Sequence, residues 1–317
     1  MMKNYICFLP IILLFFSCSK ENMSNETRDI RLKATVEAST AVSTKSVAAS
    51  PYFDSSSGLK TSVWFSTVDG VYEDNPSPAA PTYIPYHAQV EYASDGMATV
   101  YKDPVGKQFP LTYPTDNTMV YCVGLYPPTG WELSGDNKSV SHEIDGITDL
   151  MYANQQNGSW QTPIPEQVYK HKLTLLKIIV RSTSFDAGDS WGKIKKITVT
   201  NPSDKISIDL SSSAVTYSGV EAPLVVMDTP MDLDIIAQEK GQVLCAPAKK
   251  YNIIVESEKS YVRDVDVILE DEAGTPVASD ADAAGKIYII NLYFNSFNNI
   301  DAKCSLVPWN EENIELN

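Results

Sequence analysis

Three histidines, five cysteines and 40 acidic residues are the groups from which this 317-residue chain could assemble reactive chemistry. His87, His142 and His171 stand apart. None lies three to five positions from another His or a Cys, the spacing that puts two metal ligands on one local element, and neither a Gly-rich phosphate loop nor a Ser nucleophile elbow occurs. His171 falls on the apolar face of an alternating segment, where it reads as a hydrogen-bonded core or interface residue. Asp264, Asp266, Glu270, Asp271 and Glu272 crowd together but lack the spacing and glycine of a calcium-binding hand. A solvated strand edge is the simpler reading of that cluster, and Asp280 with Asp282 adds nothing to it. A glycosidase pair of carboxylates obeys no sequence spacing, so the acids alone do not define one. No catalytic residue, metal site or cofactor is expected, and the chain reads as a non-enzyme.

One cysteine has a defined chemical context. Lys3 precedes an apolar run over residues 6–16, broken only by Pro10, as in the charged and hydrophobic regions of a secretory signal. The run is shorter than the roughly 20 apolar residues of a spanning helix, and Ser19, Lys20, Glu21 and Asn22 follow it. Leu14-Phe15-Phe16-Ser17-Cys18 resembles a bacterial lipobox, with Phe15 where leucine is usual. A cysteine is required there because its sulfur accepts a diacylglycerol group as a thioether, and a small residue before it lets the peptidase close on the bond. The expectation is a signal peptide over residues 1–17, lipidation of Cys18, and anchorage in the outer membrane. Ser19-Lys20-Glu21 resembles the short charged tags that send such lipoproteins to the outer face of Bacteroidetes-type cells.

The 25 Lys and Arg of the chain, less Lys3 in the leader, leave 24 against 40 acids, a net charge of −16. Phosphate-backbone binding needs clustered cations, and short runs such as Lys193, Lys195 and Lys196 do not supply them, so nucleic acid is excluded as a partner. Beyond the leader and Cys18, Cys122, Cys245 and Cys304 are too few and too dispersed for a disulfide framework, and their odd number leaves one unpaired.

The elements that must position any site read as strands. Val, Ile, Thr and Tyr recur between Gly, Pro, Asn and Asp clusters, which predicts an all-β fold of antiparallel sheets. Ile30, Leu32, Ala34, Val36 and Ala38 alternate with polar residues in a first strand over 29–38. Residues 39–58 are Ser-, Thr- and Ala-rich and read as a linker or loop. Strands follow over 61–68, 86–92, 97–102 and 118–126, the second and third as a hairpin about Ser94-Asp95-Gly96. Four prolines make 74–85 a long loop. Two domains are expected, 18–165 and 166–317. The second opens on Tyr169, His171, Leu173 and Leu175, whose phase then shifts to Leu176, Ile178 and Val180. A bulge explains that shift, and a short amphipathic helix over 166–180 is the rival. Further strands are expected over 193–200, 206–210, 251–256, 262–269 and 286–294. Trp64, Trp131, Trp160, Trp191 and Trp309 suit burial or, alternatively, sugar-stacking platforms.

Three segments together resemble the fimbrillin family of lipoprotein-derived pilus subunits. They are the start through Cys18; Asp149-Leu150-Met151-Tyr152-Ala153 followed by Tyr169-Lys170-His171-Lys172-Leu173; and the region from Lys286 ending in Val307-Pro308-Trp309. The resemblance implies two transthyretin-like β-sandwich domains in tandem and assembly by strand exchange, in which a protease removes the first strand and a neighbour's strand fills the groove. It places the removable strand at 29–38 and the cut at Lys45-Ser46, with Arg28 and Arg31 as alternative positions. It places the donor in the C-terminal region of Leu306, Val307, Trp309, Ile314 and Leu316, a segment that reads equally as the last strand of its own domain. The implied partners are other pilus subunits, the outer membrane before processing, and a host glycan or protein. The alternative is a surface lipoprotein that binds such ligands without polymerising.

Overall fold

A computed structural model describes residues 28–37, 58–73, 86–103, 108–296, 299–307 and 309. Cys18, Lys45, Ser46, Ile314 and Leu316 lie outside the described residues, as do the leader, the loop 74–85 and nearly all of the stretch 39–58. The fold is all-β, as expected. Its strands are numbered in chain order.

The first half is built on a seven-stranded sheet in the order β3 (Tyr86–Tyr92), β2 (Leu59–Ser66), β7 (Val120–Tyr126), β10 (Met151–Gly158), β11 (Gln167–His171), β1 (Arg31–Val36) and β4 (Met97–Thr99). All neighbours are antiparallel except β1 and β11, which run parallel. Strands β3 and β4 are consecutive in the chain yet lie at opposite ends of this order. The sheet therefore curls until its two ends approach, and Leu32, Val63, Val90, Ala98, Cys122 and Tyr169 share one buried core. The expected hairpin about Ser94-Asp95-Gly96 keeps its turn, with Gly96 N–H donating to the Ala93 carbonyl at 2.8 Å, but its arms pair with different strands. Its second arm also breaks, since β5 (Tyr101–Asp103) pairs with β6 (Gln108–Pro110).

The second half is a sandwich. One sheet runs β17 (Gln238–Cys245), β12 (Thr174–Ser182), β20 (Ile287–Phe294) and β21 (Ile300–Val307); the other runs β16 (Ala222–Met227), β13 (Ile194–Asn201), β18 (Lys250–Ser257) and β19 (Val262–Ile268). Leu176, Ile178 and Val180 of the first sheet and Val199, Ile253 and Val255 of the second meet in a single core. One helix, α1 (Phe185–Trp191), caps the sandwich and was not anticipated. Its signal is local: the Ser184 side chain accepts from the Ala187 N–H, Asp186 sits in the first turn, and Gly192 ends it with φ +66°.

The two halves are knitted together. A further sheet, β15 (Val215–Ser218), β14 (Lys205–Asp209), β9 (Ser139–Glu143) and β8 (Glu132–Leu133), draws two strands from each half. Beneath it a third core joins Trp64, Val123 and Tyr152 of the first half to Ile206, Ile208 and Leu244 of the second. This burial on both faces explains why β2, with only Lys60 exposed, shows no alternation in sequence.

Segment 166–180 departs from both readings of it. It is neither a helix nor one bulged strand. Gln167–His171 pairs with β10 and β1 in the first sheet, so the chain leaves the first half after His171 and not at Pro165. Lys172 N–H still donates to the Leu150 carbonyl at 2.9 Å, whereas the Leu173 carbonyl accepts from Gly285 N–H at 2.9 Å. The change of sheet thus precedes the phase shift, which falls inside β12, where Leu175 faces the core shared by the halves and Leu176, Ile178 and Val180 face the sandwich core.

Ile208 is fully buried in the shared core. Ile208→Ala should lower the unfolding free energy by about 2–5 kcal/mol, the range for truncating a close-packed aliphatic side chain. Chemical denaturation checks this, and one transition for both halves is expected because the core belongs to both.

Candidate functional site

Strand β1 is clasped on both edges. It follows β11 in parallel with Ala34, Thr35 and Val36 opposite Gln167, Val168 and Tyr169, and it opposes β4 with Arg31, Leu32 and Lys33 against Thr99, Ala98 and Met97. The ladder extends past both ends. Ile30 N–H donates to the Leu111 carbonyl at 2.7 Å, and Glu37 N–H donates to the Tyr169 carbonyl at 2.8 Å. Ile30, Leu32, Ala34 and Val36 point into the core and are buried, while Arg31 and Lys33 stay outside. Burial of Ile30, Leu32 and Val36 contributes roughly 1.5–3 kcal/mol each. Surface ion pairs Lys33–Glu166 at 3.2 Å and Lys170–Glu37 at 2.8 Å flank the strand and add little beside that burial.

Two glycines make the clasp close. Gly96, at φ +76°, accepts the Ala34 N–H at 2.9 Å, and a Cβ there would stand 2.5 Å from the Ala34 carbonyl oxygen. A Cβ on Gly124 would stand 2.2 Å from the Tyr169 hydroxyl. That hydroxyl belongs to a polar floor near β1: Tyr92 donates to Gln167 Oε1 at 2.7 Å and Tyr169 donates to Thr61 Oγ1 at 3.0 Å. Burial raises both phenols well above their usual range, so they remain donors throughout ordinary pH.

At the far end of β11 two of the three segments that carry the family resemblance meet, the one with Asp149 and His171 and the one that ends in Trp309. His171 Nδ1 lies 2.6 Å from Asp149 Oδ2, and both side chains are almost fully buried. Trp309 stacks on the His171 ring with centroids 3.8 Å apart and planes at 26°. His171 also reaches the edge of a cavity of about 450 Å³ that is lined by Glu37, Lys170, Lys172, Tyr217 and Gly285. Burial, with the Lys170 charge second, lowers the Lys172 ammonium from its usual range. The end of the first strand and the root of the C-terminal tail thus border one junction. Asp149, His171 and Trp309 are distant in sequence, and no spacing rule could have joined them.

The donor residues separate. Leu306 and Val307 complete β21, opposite Tyr288 and Ile287 of β20, while Trp309 is buried at the junction. The other two histidines sit against indoles as well: His87 stacks on Trp64 at 4.7 Å and His142 meets Trp131 edge-on at 5.1 Å. Trp64, Trp191 and Trp309 are buried, and Trp131 and Trp160 are half-buried. Cys122, Cys245 and Cys304 are free thiols. Burial pushes Cys122 up to about 12 and Cys304 up to about 11, and it raises Cys245 too, so none is a thiolate at neutral pH. Asp264 and Asp266 lie on exposed β19, where Asp266 accepts from Lys250 at 2.9 Å.

No protein-family model matches the sequence, and no curated protein matches it. Solved structures do. A candidate cell adhesion protein from Bacteroides uniformis superposes with a TM-score of 0.55 at 14% identity, over 89% of this chain and 98% of the other. A second from Bacteroides ovatus gives 0.55 at 13% identity, over 90% and 98%. A candidate adhesin from Bacteroides thetaiotaomicron gives 0.51 at 5% identity, also over 90% and 98%. At these identities the likeness establishes a shared fold along nearly the whole of each chain.

Two substitutions probe the site. Gly96→Ala should destabilise the protein by more than the ~1 kcal/mol that a glycine-to-alanine exchange alters in the unfolded chain, because the methyl collides with β1. The check is faster hydrogen exchange at Ala34 and Leu32. His171→Ala should free Trp309, seen as tail cleavage after Trp309 by chymotrypsin at concentrations that leave the parent chain intact.

Proposed function

We propose that the chain is a surface adhesion protein that polymerises as a pilus subunit. It is exported as a lipoprotein through Cys18, trimmed at Lys45-Ser46, and joined to its neighbours by strand exchange. The observation that carries this reading is β1 itself. It enters the first sheet between two strands that are remote in sequence, and it connects to the rest of the fold through residues 38–57, where Lys45 lies. A strand seated in this way can leave without breaking any other strand in two. Its loss would expose the free edges of β11 and β4 and an apolar trench, which is costly in water until an incoming strand restores the ladder.

The shared fold with Bacteroides proteins described as candidate adhesins supports an adhesive role at the cell surface. The division of the C-terminal residues refines the donor: Leu306, Val307 and Trp309 root the tail in its own subunit, and the following segment, in which Ile314 and Leu316 alternate with Glu315, enters a neighbour's groove. The reading assigns the chain no enzymatic role. A non-polymerising lipoprotein that binds host glycan or protein is the second reading, and burial of Trp64, Trp191 and Trp309 limits its glycan form to Trp131 and Trp160 among the indoles.

Mass spectrometry of the subunit from sheared surface filaments should find Ser46 at the N-terminus and no lipid. A filament subunit that begins at lipid-bearing Cys18 would refute the stalk placement. Lys45→Gln should leave the uncut lipoprotein on the membrane and reduce the filament form severalfold.

A further inference from the structure

A recess of about 530 Å³ opens at the head of β1, lined by Arg28, Asp29, Arg31, Lys33, Met97 and Tyr113 among others. It is an electrostatic exception. The chain carries a net charge of −15, yet here three cations surround one carboxylate. Lys33 reaches Glu166 at 3.2 Å, and Arg28 spends one N–H on the Trp160 carbonyl at 2.9 Å, whereas neither Arg28 nor Arg31 forms an ion pair among the described residues. Met97, 40% exposed, and the Tyr113 ring supply an apolar wall beside the charges. Guanidinium groups bind phosphate oxygens in bidentate fashion and are weakly hydrated, so this mixture of cation and apolar wall suits a phosphate group at a water–lipid boundary.

We infer that this recess docks the anchored precursor on phosphate-bearing headgroups of the membrane that holds its lipid. The inference rests on the lipid-anchor reading: only nine residues lie between Cys18 and Arg28, an extended reach of about 35 Å at most, which keeps the recess close to the bilayer. The acidic remainder of the chain is repelled by the same surface, so attraction at one place and repulsion elsewhere set an orientation. Arg28, Arg31 and Lys33 all precede Lys45, so the cut that removes β1 also removes the docking cations. Trimming therefore releases the subunit from the membrane twice over, from its lipid and from the headgroups.

Vesicle sedimentation tests the docking with the chain from Ser19 onward, which lacks the lipid and holds every described residue. Vesicles of phosphatidylcholine with about one-third phosphatidylglycerol should bind it and pure phosphatidylcholine should not. Each Lys or Arg near an anionic surface is worth roughly fivefold in affinity, so the double variant Arg31→Glu, Lys33→Glu should bind at least about 20-fold more weakly. Both side chains are exposed, and circular dichroism verifies that β structure survives. If that variant does not fold, the neutral pair Arg31→Gln, Lys33→Gln serves, with a loss of about tenfold or more. Equal binding to neutral vesicles, or binding unchanged by either variant, overturns the inference. Inorganic phosphate should displace the protein more effectively than sodium chloride of equal ionic strength, because the guanidinium groups bind phosphate oxygens; displacement that follows ionic strength alone would overturn the assignment to phosphate headgroups. The mass of the N-terminal peptide of the full chain reports lipidation of Cys18 separately, so lipidation found there together with a chain from Ser19 that ignores anionic vesicles contradicts the docking alone.

Discussion

A β-strand hydrogen-bonded along both edges and apolar on one face can be withdrawn only by exposing two rows of backbone donors and acceptors together with the trench it filled. β1 is held in this way between β11 and β4, with Ile30, Leu32, Ala34 and Val36 driven into the core. The rest of the first half is arranged around that seat. Tyr92, Gln167, Tyr169 and Thr61 form a polar floor near it, Gly96 lets the β4 turn approach Ala34, and Gly124 makes room for the Tyr169 hydroxyl. What makes the strand costly to lose also makes the empty seat attractive to another strand.

The second half contributes rigidity to that seat. Strands β9 and β14 pair across the halves, and the third core covers the outer face of β2, β7 and β10. β11 lies beside the doubly covered strand β10, keeps Val168 and Lys170 at the surface, and continues into the His171–Asp149–Trp309 cluster that roots the tail. The strand that would receive a neighbour's tail and the residue that holds the chain's own tail are thus parts of one element. Bending at either place is opposed by close packing at the other.

Where one face of a strand meets water, its residues announced it. β1, β3, β18 and β19 alternate in sequence, and they lie close to where the alternation predicts them. Asp149, His171 and Trp309, which lie in two of the family-like segments, converge in the fold. Alternation is lost where both faces are buried, although strands were still expected close to β2 and β7. β2 and β12 bury residues on both faces, so alternation does not mark them and their β-branched and aromatic content has to. Legibility failed at Lys172–Leu173, where the chain changes sheet without any break in alternation, and at α1, where seven residues hold too few turns for a helical period to emerge. The histidine–indole contacts and the cationic recess were hidden for a different reason: they join residues from strands whose pairing only the fold reveals.

The seat of β1 can be tested apart from any filament. A chain starting at Ser46 can be prepared with and without a synthetic peptide spanning residues 28–37, and its thermal unfolding followed by near-ultraviolet circular dichroism. The account predicts that the shortened chain alone lacks a cooperative transition and that the peptide restores one at a midpoint that rises with peptide concentration. A shortened chain that melts cooperatively at the temperature of the full protein, unaffected by peptide, would contradict it.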